Sequence, residues 1–194
     1  MEKHEEVVTS PVVFATEELK SWVDLYREEF GIELTNTKIL VPKYQENTWI
    51  VLTDPRVTVE GIFSCAGKHF LCSTSIIKNQ SVTDCFPFSN LTVRRFSAEI
   101  EIGARGERLL ADELAALVVR SIILKERMLL ELWYFRETGR HLDRSSWTLC
   151  NGSRCGDEKN ALIPRAGWLD GAFCIFGGDL RERAQRTQPR LALL

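Results

Sequence analysis

The sequence predicts an α+β protein with a mixed N-terminal α/β half, a helical connector and a C-terminal module of short strands. Three observations predict it. Apolar residues recur at three- and four-residue intervals in 16–30 and again over 109–138, which is the period of a helix face. Short β-branched or alternating runs lie between them, at 38–42, 48–53 and 96–102. Past Gly139 the helical period stops and glycines punctuate the chain to its end. The connector at 124–138 divides an N-terminal region, 1–123, from a C-terminal unit, 124–194.

Each element follows from its residues. In 16–30, Leu19, Trp22, Val23, Tyr26 and Phe30 make one apolar face. Thr16 is placed to cap this helix, Glu17 and Glu18 favour its positive end, and Gly31 is placed to stop it. The runs 38–42 and 48–53 flank a polar turn and predict a hairpin or neighbouring strands. Residues 58–67 predict a short helix with Thr58 as cap and Ile62, Phe63 and Ala66 inward. Asp84, Pro87, Ser89 and Asn90 make 79–91 a loop. Phe96, Ala98, Ile100 and Ile102 alternate with polar residues, the mark of a half-buried strand. Over 109–138 two helical stretches are expected, with a break at Ser121, which would cap the second. The spacing of Leu124, Met128, Leu132 and Phe135, widened by Leu129, Leu130 and Trp133, predicts a helix buried between the two halves. Residues 140–194 are expected to be irregular with short strands, and Gly177-Gly178 to be a turn.

Composition limits the function classes. With 194 residues, 44% apolar and 27% charged, the chain can bury a core and is not disordered. The net charge of −2 gives no global call for nucleic acid or anionic lipid. Charge is nonetheless uneven. Residues 1–30 carry three bases against eight acids, and the last 30 residues carry five arginines against three acids. That surplus is too small for a polyanion site. No run of 18 apolar residues occurs, so no membrane span is expected. The acidic start lacks the order of a secretory signal, which predicts a cytoplasmic protein with its six cysteines as thiols.

The cysteines offer two chemistries. Cys65, His69, Cys72 and Cys85 carry zinc-ligand side chains, but at a C-x3-H-x2-C-x12-C spacing that is not a standard pairing. Cys150 and Cys155 lie four residues apart and so lack the C-x2-C redox arrangement; His141 and Arg154 are the neighbours that would have to activate them. A buried structural thiol is the simpler reading of each. His141, just after Gly139, is better suited to fixing a loop by hydrogen bonds than to acid–base work. No H-E-x-x-H, G-x-S-x-G, P-loop or G-x-G-x-x-G pattern is present, and no cofactor is called for.

One resemblance goes further. Residues 131–143 (Glu-Leu-Trp-Tyr-Phe-Arg-Glu-Thr-Gly-Arg-His-Leu-Asp) and 147–154 (Trp-Thr-Leu-Cys-Asn-Gly-Ser-Arg) resemble a family of bacterial proteins of largely uncharacterised function. Together with Ile163-Pro164, Trp168 and the closing 189–193, they look like the variable protein of diversity-generating retroelements. In such systems a reverse transcriptase copies a template with errors at adenines, and the copy replaces the 3′ end of the target gene. The resemblance implies a C-terminal C-type-lectin-like module that binds ligands rather than turning them over. It also implies an unidentified protein or other macromolecule as partner. The ending departs from the pattern at Gly177, Leu180 and Thr187-Gln188.

The residues of 163–176 fit that reading. Ile163, Ala166, Trp168, Phe173 and Ile175 are expected to form a buried scaffold. Arg165, Gly167, Leu169, Asp170, Ala172, Cys174 and Phe176 interleave with them as the candidate ligand-binding set. If that set faces out, its mixture of apolar, charged and small side chains is unusual for a surface selected only for solvation. The other reading is a strand buried on both faces. Two function classes stand beside the binding protein: a zinc- or thiol-dependent enzyme using the cysteines, and an Arg-rich nucleic-acid-binding protein.

Overall fold

The fold is α+β. In a computed structural model of the chain, the described residues are 17–34, 39–76, 82–86, 88–102, 116–156, 162–178 and 187–193. The first helix, α1 (Glu17–Phe30), buries Leu19, Trp22, Val23, Leu25 and Tyr26. It ends at Gly31, whose φ of 64° is open to glycine at little cost. Its expected cap, Thr16, lies outside the described residues. Tyr26 locks α1 onto the next element: its hydroxyl donates to Leu52 O at 2.7 Å and accepts from Asp54 N at 3.1 Å.

Strand β1 (Thr48–Thr53) pairs antiparallel with β4 (Thr92–Ser97), not with the run at 38–42; residues 39–40 and 42 are outside any strand. Asn47, with φ of 55°, takes the bend before β1 and accepts from Ala98 N at 2.9 Å. The second strand therefore starts and ends earlier than the alternation in 96–102 suggested. Phe96 is buried, whereas Ile100 lies beyond the strand and is 47% exposed. Helix α2 (Val59–Ala66) is capped as expected, with Thr58 Oγ1 accepting from Gly61 N at 3.1 Å, and Ile62 and Ala66 are buried. Two short strands follow, β2 (Cys72–Thr74) and β3 (Val82–Asp84). The second falls in a stretch expected to be loop and pairs with β6 (Ser153–Cys155).

The break at Ser121 is present, between a 3-10 turn (Val118–Arg120) and helix α3 (Leu124–Thr138). Ser121 is not the cap. Its hydroxyl turns back to Leu117 O at 2.8 Å, while the start of α3 is satisfied from elsewhere. Glu126 accepts from Ile123 N at 3.0 Å, and Ser153, on β6, accepts from Leu124 N at 2.9 Å. Gly139, with φ of 65°, ends the helix. Residues 128–134 of α3 are all buried, so the helix is covered on every side. On one side Trp133 stacks on Trp22, with ring centroids 5.5 Å apart, and meets Trp49 of β1. On the other side lies a five-stranded sheet.

That sheet is larger than the sequence suggested. Its order is β2-β8-β7-β5-β9, with β5 (Trp147–Leu149), β7 (Ile163–Leu169), β8 (Ala172–Gly178) and β9 (Thr187–Pro189). β7 and β8 form a hairpin of seven-residue strands around Asp170-Gly171, whose φ values of 50° and 80° suit a tight two-residue turn. Gly177-Gly178 is strand, not turn. The chain then returns across the expected boundary at 123/124: Ile122 N bonds Arg190 O at 2.8 Å, and Leu193 N bonds Arg95 O at 2.8 Å. No helix among the described residues is long and apolar enough to cross a membrane.

Candidate functional site

Cross-strand partners in a sheet share a face, so the β7–β8 register sorts the hairpin side chains. Ala166 pairs with Ile175 and Trp168 with Phe173. These face α3, where the guanidinium of Arg127 lies over the Phe173 ring at 5.3 Å. Arg165 pairs with Phe176, Gly167 with Cys174 and Leu169 with Ala172; these lie on the opposite, outer face. By register, Trp147 and Leu149 of β5 and Ser73 of β2 join that outer face.

Six of the seven candidates share the outer face and Asp170 stands in the turn, but they are not equally accessible. Leu169 is 47% exposed and Asp170 is exposed at the hairpin tip, while Arg165 and Phe176 are half-buried. Gly167, Ala172 and Cys174 are buried. Gly167 is covered by its neighbour on β5: a Cβ placed there would sit 2.7 Å from Ser146 O and 3.0 Å from the Trp147 ring. Phe176 packs on the same Trp147, with centroids 5.6 Å apart, and the Arg165 guanidinium lies across Gly178. Beside the hairpin tip, Leu71 accepts from Phe173 N at 2.8 Å through its carbonyl and leaves its side chain 68% exposed. Ala166, Phe173 and Ile175 are buried on the inner face as expected of a scaffold, and Trp168 is half-buried there. Ile163 is buried too, but its place opposite Gly178 in the register puts it on the outer face and not with the scaffold.

The inner face is held by a charge network within the core. Arg127 bonds Glu131 at 2.8 Å and Asp143 at 3.0 Å, and Arg190 approaches Asp143 at 3.4 Å; all four side chains are fully buried. Two positive and two negative groups therefore offset one another out of water. Thr148 donates to Asp143, as does Ile102 N at 3.0 Å. Burial raises the Asp143 pKa, but Arg127, then Arg190 and these hydrogen bonds, outweigh burial and hold it below its ordinary value. His141 faces Glu131 Oε1 at 3.0 Å, the same oxygen that accepts from Trp168 Nε1 at 3.0 Å, and its ring centroid lies 3.7 Å from that of Trp168. His141 thus fixes the loop after α3, as its position implied. Of the motif residues at 131–154, Glu131, His141, Asp143 and Thr148 serve this network.

The cysteine candidates separate. Cys65 and His69 come together, joined by Glu29 of α1, whereas Cys72 and Cys85 are not among the donor atoms converging there. Cys72 lies on β2, and Cys85 N bonds Gly152 O at 2.8 Å on the β3–β6 side. The four-residue zinc set read from the sequence is therefore not assembled as such. Burial pushes the thiols of Cys72 and Cys155 up to about 11 and raises Cys150 and Cys174 as well, which favours the protonated, unreactive form. Among the arginines of the Arg-rich alternative, Arg127 and Arg190 are spent on internal partners. A depression of about 420 Å3 lies between α1 and the end of α3, lined by acids such as Glu17, Asp24 and Glu137; none of the seven candidates borders it.

Comparison with protein-family models, curated proteins and solved structures finds no match.

The residues that sequence reasoning missed on the outer face are Trp147, Leu149, Ser73 and Leu71. Trp147 and Leu149 carried the alternation of a strand, and Asp170-Gly171 between two apolar runs is a strong local hairpin signal. Leu71 and Ser73 reach the face only through the parallel pairing of β2 with β8, which leaves no local trace.

Proposed function

We propose that the protein binds a macromolecular ligand, most simply the surface of another protein, through the outer face of its five-stranded sheet. In this reading the C-terminal unit is C-type-lectin-like, and the chain is the variable protein of a diversity-generating retroelement. The observation that carries it is the separation of faces within one hairpin. Arg165, Leu169 and Phe176 share an outer side, with Asp170 exposed in the turn at its end, while the inner side is committed to a buried ion network. Exposed Leu169 on β7 and exposed Leu71 before β2 lie on either side of β8 near the hairpin turn, with Asp170 exposed in that turn, and apolar side chains so placed are of the kind that interfaces use. Gly167, Ala172 and Cys174 drop out as contact residues and remain as packing beneath the face.

A library randomised at Arg165, Leu169, Asp170 and Phe176, sorted first for solubility and then on mixed protein targets, tests the reading. Most members are expected to fold, since surface changes usually stay within about 0.5 kcal/mol. Different members are expected to enrich on different targets, because a few contacts dominate an interface. General aggregation would remove the binding face. Retroelement membership has its own test in the genome: a neighbouring reverse transcriptase gene, and an imperfect copy of the last codons differing at adenines.

A further inference from the structure

Glu29, Cys65 and His69 come from separate parts of the N-terminal half and meet at one point. Glu29 lies in the last turn of α1 and Cys65 near the end of α2. Past the end of α2 the chain stays wound, with His69 N and Phe70 N both bonding Ala66 O, which holds His69 about one turn beyond Cys65. A carboxylate oxygen, a thiol sulfur and an imidazole nitrogen thereby lie within 4.8 Å of one another. Glu29 links the other two: Oε2 accepts from Cys65 Sγ at 3.0 Å, and Oε1 faces His69 Nε2 at 3.0 Å.

We propose that Glu29, Cys65 and His69 bind one zinc ion, with the fourth position left to water. The donor set selects the metal. Thiolate and imidazole suit zinc, whereas magnesium and calcium want oxygen ligands throughout. Three protein ligands with one open position is the arrangement of zinc sites that admit an outside molecule. The burial is graded to match: Cys65 is buried, while the Glu29 and His69 side chains are 13% and 29% exposed, so one side opens to solvent. With zinc bonds of about 2.0–2.3 Å, tetrahedral donors stand roughly 3.3–3.6 Å apart, so the Glu29 oxygen that becomes the ligand opens its 3.0 Å contact by about half an ångström, and the three donor atoms, now within 4.8 Å of one another, close around the ion.

Charge also balances. On binding, the Cys65 thiol releases its proton to solvent, and the thiolate and the Glu29 carboxylate neutralise the dication. Arg136, paired with Glu28 at 2.6 Å, stands 3.7 Å from Glu29 Oε1 and adds a positive charge beside that carboxylate. Without metal, the Cys65 thiol donates to Glu29 Oε2 at 3.0 Å, so a proton occupies the place between sulfur and carboxylate that the cation would take. α1 and α2 carry this site, and the sheet face plays no part in it.

The test is a cobalt(II) titration of the full chain after chelator treatment, followed by displacement with zinc. A thiolate-to-cobalt charge-transfer band should saturate at one equivalent and disappear on adding one equivalent of zinc. Cys65→Ser should abolish the band, Cys72→Ser should leave it unchanged, and His69→Ala and Glu29→Gln should each weaken binding more than about tenfold. His69 is exposed enough that its variant tests binding even if Cys65→Ser fails to fold. No saturable band in folded parent, a band that survives in Cys65→Ser, or unchanged affinity in His69→Ala would each overturn the site.

Discussion

Replacing Asp143 by Asn removes a single charge from the middle of the protein and changes almost nothing else. Asp143 has a φ of 52°, a conformation that asparagine tolerates as well as aspartate, so the backbone contributes little to the outcome. What changes is the balance of the network: Arg127 and Arg190 are left with Glu131 alone, all of them out of water. Leaving one buried charge uncompensated costs about 3–5 kcal/mol. For a chain of this size that corresponds to a fall in melting temperature of roughly 6–20 °C. Urea unfolding monitored by tryptophan fluorescence should show the lower midpoint with an unchanged slope. The sign with pH follows from the depressed pKa of Asp143. Its ionised form stabilises the fold above its ordinary value of 3.8, and that contribution is lost as pH falls through the lower folded value. The gap between parent and variant should therefore close on acidification below about pH 4. Adding Arg190→Met to the variant restores neutrality and should recover part of the loss, so the two changes together cost less than their sum. A variant that melts within about 2 °C of the parent at pH 7 would refute the account of the network as a mutually compensated core.

Two further outcomes follow from the packing. Gly167→Val should destabilise by about 1–3 kcal/mol, read by thermal melting, because its Cβ would collide with Ser146 O, a backbone atom that cannot swing away; a neutral variant would mean that Trp147 does not lie over this position. Glu126 is buried, and desolvation raises its pKa from 4.5 to about 7 against the pull of Arg94. Its ionisation thus opposes folding, and stability should fall as pH rises across that window. Glu126→Gln should remove this slope, measured as the difference between parent and variant unfolding free energies from pH 4.5 to 7.5, and parallel profiles would count against it.

What could be read from the sequence was mostly what is local. Residues 58–67 announced α2 and its cap, since a Thr before an apolar helical period acts within four residues. Gly31 and Gly139 ended their helices for the same reason. Ser121 marked a real break, yet the capping role went to Ser153, a residue on a distant strand that no local pattern connects to α3. The run at 96–102 misled because Ile100 and Ile102 kept the alternation going after the chain had left the sheet at Ser97; pairing with β1, not periodicity, set the end. In 163–176 the two faces were legible apart from Ile163, which lies on the outer side, and Asp170, which lies in the turn, but burial was not. It depends on Trp147, which comes across from β5. The donor cluster was half legible. The i, i+4 spacing of Cys65 and His69 was visible, whereas Glu29, 36 residues before Cys65, enters only through the docking of α1.

The sequence offered seven outward positions, six of which lie on the outer face of β7 and β8 and one, Asp170, in the turn, and their sizes explain why only four of them border solvent. Gly167, Ala172 and Cys174 are the small members of the set, and each is buried although it lies on the face away from α3. A large side chain at Gly167 would displace Trp147, whose ring occupies the space a Cβ would fill, and Trp147 in turn supports Phe176. The small residues therefore make room for aromatic ones lying on the sheet, and the larger residues around them meet solvent. A face built this way has a fixed centre and a variable margin. The margin can change most freely at Leu169 and Asp170, since Arg165 and Phe176 are half-buried against Gly178 and Trp147, and the larger share of the contacts that hold the hairpin lies on its other side. There Trp168 donates to Glu131, Phe173 lies under Arg127, and Ala166 and Ile175 are wholly buried, so none of these contacts includes Arg165, Leu169, Asp170 or Phe176. Tolerance to substitution on the margin and intolerance at Gly167 are two consequences of that same arrangement.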